Sequence, residues 1–198
     1  MAEGAEWLAR AEPRFAHALS LTGVPPLRRR PEGFGHLLGA IIGQQVSTHA
    51  ARAIWDRMDA AGLTTPEAVL AADDETLRAP GLSRQKIRYA RALAEAGIDF
   101  DALRDAPDAE VTATLVQVTG IGRWTAEIYA MFSLGRGDVF APNDLALQES
   151  ARRLFMLPDR PREAPMRRMA ESWSPWRTVA AGLLWAYYRV ETDREGVI

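Results

Sequence analysis

Apolar residues recur along this chain at intervals of three or four, and no run of β-branched residues alternates with polar ones. That pattern predicts an all-α protein of roughly eight to ten helices. Leu37, Leu38, Ile41, Ile42, Val46, Ala50, Ile54 and Met58 make one continuous stripe, read as a single helix ended by Gly62. Thr65-Pro66-Glu67 supplies an N-cap and a first-position proline, and Ser83 precedes a helix with Ile87, Ala90 and Leu93 or Ala94 inward. A helix from Pro107 to Val118 stops at Gly120, and another runs from Arg123 to about Leu134. Residues 135–143, GRGDVFAPN, form the clearest irregular stretch. Asn143 or Asp144 caps the helix after it, and Ser174-Pro175 starts the last one, to about Val190.

Composition removes several kinds of chemistry. The 198 residues contain no cysteine, which excludes disulfides, thiolate zinc sites, iron–sulfur clusters and a cysteine nucleophile. MAEGAEWLAR lacks a basic start followed by an apolar stretch, and no apolar run approaches a membrane span. A cytoplasmic monomer without a membrane partner is expected, at the nucleoid if the source is prokaryotic. The net charge of −2 weighs against nucleic acid as a partner, although one basic face suffices to bind phosphates. Arginines cluster at 28–30, 84–91, 152–153 and 167–168, where they equally suit solvated helix faces. Lys86 is the only lysine.

The richest segment is LVQVTGIGRWTAEIYAMF, Leu115 to Phe132. Two helical patterns are joined by Thr119-Gly120-Ile121-Gly122, whose glycines permit positive φ and close backbone approach. Amides of such a turn, with the N-terminus of the following helix, favour an anion such as a phosphate. Ile121 is expected to pack inward between the two helices.

Placed between amphipathic helices, GIGRWTA resembles the helix-hairpin-helix motif of DNA repair glycosylases, and the 3-methyladenine DNA glycosylase II type in particular. IIGQQVS (41–47), GLSRQKIRYARALA (81–94), DVFAPND (138–144) and SPWRTVAAGLLWAYY (174–188) extend the resemblance in order and spacing. It implies two helical subdomains flanking a cleft. One spans 34–136 with the hairpin at 118–122; the other joins 1–33 to 137–198 and carries the acid. It also implies a start close to the glycosylase core, without the additional N-terminal domain of larger relatives.

By that resemblance the partner is double-stranded DNA containing a damaged base, and Asp144 is the catalytic residue. Breaking a C1′–N bond develops an oxocarbenium-like cation, which a carboxylate stabilises, and a helix N-terminus favours negative charge there. Lyase members carry a lysine two residues after the hairpin's last glycine. Here that residue is Trp124, which implies a monofunctional enzyme leaving an abasic site. Trp124 and Trp185 match aromatic positions of the base pocket and suit a cationic alkylated purine. Ile128 and Leu145 stand where some members are aromatic, so another lesion (uracil, a deaminated or an oxidised base) stays open, as does a non-catalytic DNA-binding module.

Gln45 is the implied plug for the gap left by the extruded base. Gln44, Ser47, Lys86, Gly120, Gly122, Arg123 and Thr125 are the implied contacts to the DNA backbone. No cofactor is required. Backbone carbonyls of Val116, Val118 and Ile121 are implied ligands of a structural Na+ or K+ at the hairpin.

Overall fold

The structure, a computed structural model, describes residues 1–192, and all regular structure among them is α-helical. The chain begins with α1 (Ala2–Ala11), α2 (Pro13–Thr22), α3 (Phe34–Gly43) and α4 (Thr48–Ala60). Short helices follow, α5 (Pro66–Ala71) and α6 (Asp74–Arg78), then the longer α7 (Arg84–Glu95). Next come α8 (Phe100–Asp105), α9 (Asp108–Leu115) and α10 (Arg123–Phe132). Last are α11 (Leu145–Leu154), α12 (Glu163–Glu171) and α13 (Arg177–Thr192). The number exceeds the roughly eight to ten expected because one long apolar stripe is two helices and because α6 and α8 are only five and six residues long.

Side-chain caps explain most starts. Thr65, Asp73, Ser83, Asp99 and Asp144 each accept a backbone amide of the first turn that follows. One reading of the sequence needs correcting. The apolar stripe from Leu37 to Met58 is two helices, because the chain turns at residues 44–47. Gln45 adopts φ 57, outside any right-handed helix, and the Ser47 hydroxyl starts α4 by accepting the Ala50 amide at 3.2 Å.

The chain divides into two compact units, Met1–Arg29 with the described part of Ala130–Ile198, and Arg30–Tyr129. Their division falls inside α10. The expected span of 137–198 includes residues 193–198, which lie outside the described residues.

In the first unit α13 packs on α1, α2 and α11. Its aromatic core gathers Phe15, Phe140 and Phe155 around Trp173, with ring centroids 5.3–5.9 Å from the indole. Trp176 lies over Gly4 of α1, where a Cβ would meet the indole at 2.7 Å. In the second unit α3 packs on α4 and α7, and α7 also on α5 and α6. Leu37, Leu38, Ile41, Ile42, Met58, Leu77, Ala90 and Leu115 are fully buried there. Each large aliphatic side chain contributes about 1.5–3 kcal/mol by leaving water.

Candidate active site and nucleic-acid interface

In the second unit, α9 gives way to the hairpin turn at Val116. The Ile121 amide donates to the Val118 carbonyl at 3.0 Å, and both side chains are buried. The two glycines play different parts. Gly120 has φ +99, and a Cβ on it would run into the Tyr89 ring from α7. Gly122 has no such φ, and a Cβ there would point into open space. It therefore leaves the backbone accessible at the start of α10, where the first-turn amides have no intrahelical acceptors.

Arg123, Trp124 and Thr125 occupy that first turn, with Arg123 and Trp124 exposed and Thr125 half-buried. The Arg123 guanidinium receives a partner from its own helix: its Nε donates to Glu127 Oε1 at 3.1 Å. Glu127 is itself buried, so it holds the guanidinium from below. Ile128, one residue further on, is buried as well.

The turn between α3 and α4 presents Gln45, Val46 and Ser47, all exposed. Gln44 is half-buried, and its Nε2 donates to the Gly120 carbonyl at 2.9 Å, tying this turn to the hairpin. Lys86 stands differently from expectation. It is buried rather than offered to a phosphate, and its Nζ donates to the Ile42 carbonyl at 2.6 Å. Burial pushes its amine pKa down. Several basic clusters are likewise engaged within the fold: Arg152 and Arg153 bind Glu149, Arg167 binds Glu163, and Arg91 binds Asp74 and the Ala72 carbonyl.

In the first unit Asp144 caps α11 and is 8% exposed. Its Oδ1 accepts the Leu147 amide at 3.0 Å and the Trp185 indole N–H at 3.1 Å. Two donors from separate helices thus fix the orientation of one carboxylate. Trp185 is buried on α13, with Phe132 5.7 Å away centroid to centroid. Leu145, immediately after the acid, is 62% exposed.

Sequence reasoning missed how the loop before Asp144 is pinned. Arg177, at the start of α13, grips both oxygens of Asp138 at 2.8 Å, and Ser174 adds a third bond at 2.7 Å. Burial works to raise the Asp138 pKa, but the Arg177 and Ser174 bonds overcome it and hold the carboxyl below its usual range. The Thr178 hydroxyl lies within hydrogen-bond distance of the Arg136 and Val139 carbonyls and donates its one proton to either, and Gln148 Nε2 donates to the Pro142 carbonyl at 2.9 Å. DVFAPND named the segment, but no local spacing reveals partners nearly forty residues away.

The chain that carries this hairpin and this buried carboxylate is similar to known proteins over most of its length. Residues 38–177 match the model of the HhH-GPD superfamily base excision DNA repair proteins. The chain belongs to this superfamily. It is 34% identical over 165 residues to DNA-3-methyladenine glycosylase 1 of Schizosaccharomyces pombe, covering 79% of this chain and 72% of that one. Among solved structures it resembles the DNA-3-methyladenine glycosidase of Bacillus halodurans, with TM-score 0.84, 31% identity and coverage of 96% and 90%. It also resembles the 3-methyladenine DNA glycosylase of S. pombe in complex with abasic DNA, with TM-score 0.80, 28% identity and 99% of each chain. As an HhH-GPD protein it is all-helical over the described residues, and no helix among them is long and apolar enough to cross a membrane.

Proposed function

We propose that the chain is a monofunctional DNA N-glycosylase of base excision repair that removes alkylated purines and leaves an abasic site. The observation that carries this reading is Asp144, whose carboxylate is buried at the start of α11 and held by the Leu147 amide and the Trp185 indole.

The hairpin amides of Gly120 and Gly122 and the first turn of α10 hold a DNA phosphate, with Arg123 and Thr125 beside them. Gln44 and Ser47 face the backbone near the lesion, and Gln45 fills the gap as the base leaves the stack. Lys86 is left out of the proposed phosphate contacts, because it is buried and its Nζ donates to the Ile42 carbonyl. Trp124, exposed in the second unit, is a stacking surface for a cationic purine. As the C1′–N bond breaks, Asp144 stabilises the cationic sugar and orients the attacking water. Alkylation makes the base a good leaving group, so little acid assistance is needed. With Trp124 in the position of the lyase lysine, no Schiff base forms.

No cofactor takes part in these steps. The carbonyls of Val116, Val118 and Ile121 are uncharged oxygen donors of the kind that suit Na+ or K+, and Val118 also accepts the Ile121 amide. The compartment proposed is the cytoplasm, where the DNA of a prokaryote lies.

The names of the relatives support alkylated purines as the substrate class. One observation favours a narrower or different range: Leu145 and Ile128 are aliphatic, and Ile128 is buried. A release assay on duplexes carrying methylated purines, ethenoadenine, hypoxanthine, uracil or oxidised bases decides between them. Release of methylated purines is expected; release of uracil or an oxidised base alone overturns the substrate reading. Borohydride is expected to trap no enzyme–DNA adduct.

A further inference from the structure

The chain's single lysine is buried against the end of a helix, in a place that no step above uses. Lys86 Nζ donates to the carbonyl of Ile42, one of the last carbonyls of α3, at 2.6 Å. Such carbonyls lack intrahelical donors and sit at the negative end of the helix dipole, so an ammonium suits them. Three residues beyond Ile42 comes Gln45, exposed and held at φ 57, a backbone region that a non-glycine residue keeps only when its surroundings fix it.

Two further contacts join the same elements. Gln44 Nε2 bridges the turn to the Gly120 carbonyl at 2.9 Å. Tyr89, three residues after Lys86 on α7, fills the space that a side chain at Gly120 would need. Helix α7 therefore touches the base of the α3–α4 turn with one residue and the hairpin with the next side chain on that face. The turn and the hairpin are braced as one piece.

From this juxtaposition we infer that Lys86 is a positioning residue for base extrusion: it fixes the end of α3 so that Gln45 is presented ready-formed, in register with the hairpin that grips the phosphate. This inference rests on the proposed insertion of Gln45. A plug ordered before DNA arrives loses less freedom on insertion. Its benefit is confined to substrates that must be opened, because an unpaired base has little stacking left to lose.

The test compares single-turnover release of one N-methylated purine from a fully paired duplex and from a short unpaired bubble. Lys86→Met is expected to slow release from the paired duplex by about tenfold and from the bubble by no more than about twofold. Lys86→Arg, which restores a cationic donor, is expected to recover part of the paired-duplex rate. Gln45→Ala is expected to show the same selective loss, and the double variant no further loss. Equal slowing of both substrates by Lys86→Met, or slowing of neither, would overturn the role of Lys86. If Gln45→Ala leaves the paired-duplex rate intact, insertion itself is wrong, whatever Lys86→Met does.

Discussion

The indole N–H of Trp185 points at the carboxylate of Asp144, 3.1 Å from Oδ1. The same oxygen accepts the Leu147 amide at 3.0 Å, so the acid is oriented by α13 as well as by the helix it caps. Trp185, assigned to the base pocket by resemblance, thereby gains a second part as a donor to the acid.

Trp185→Phe separates those parts, because it keeps an aromatic ring near Phe132 and removes the N–H. A buried carboxylate that loses one donor is destabilised by about 1–3 kcal/mol and is oriented less firmly. Single-turnover excision should fall roughly tenfold, with affinity for an abasic-site duplex nearly unchanged. An unaltered rate would show that the indole N–H is dispensable.

The hairpin glycines should fail in different ways. Gly120→Ala meets both the φ of +99 and the Tyr89 ring, and should lower stability by about 2 kcal/mol or more, read as a drop in Tm. Gly122→Ala meets nothing within the protein. Its Tm should hold while DNA affinity falls, because the new methyl group obstructs the approaching phosphate. A shared loss of Tm would contradict the distinction.

Acid should weaken the second unit through His36. Burial, with the Arg30 charge adding to it, lowers the His36 pKa from 6.5 to about 4. The unfolded chain thus takes up this proton at higher pH than the folded one, so stability is full above 6.5 and declines as pH falls towards 4. The expected loss is of order 1–3 kcal/mol, reduced from the full linkage value because solvent reaches part of the ring. His36→Phe should flatten Tm against pH in that window. Further loss at lower pH belongs to Glu149, whose pKa is lowered from 4.5 to about 2 by its bonds to Arg152 and Arg153, against the opposing effect of burial.

Helix starts were legible because their signals are local: Thr65, Ser83 and Asp144 each bond an amide three residues ahead. The break between α3 and α4 was not, since Val46 and Ala50 continue the apolar spacing through it and Gln45 is no marker of a left-handed turn. Lys86 read as a phosphate contact for a similar reason. Its helix shows a polar face in sequence, while the carbonyl that accepts its hydrogen bond is 44 residues away. The acid and the hairpin stood out through the order of their motifs. The Asp138–Arg177 clamp, 39 residues apart, had no motif to announce it.

The central claim is that the carboxylate of Asp144 drives base release. Asparagine caps helices about as well as aspartate, so Asp144→Asn removes the charge and keeps the start of α11. The decisive measurement is single-turnover release of a methylated purine from duplex DNA by both proteins, with binding to an abasic-site duplex measured alongside. The expected result is a rate lower by about a thousandfold or more with binding largely retained. Equal release by the two proteins would contradict the mechanism.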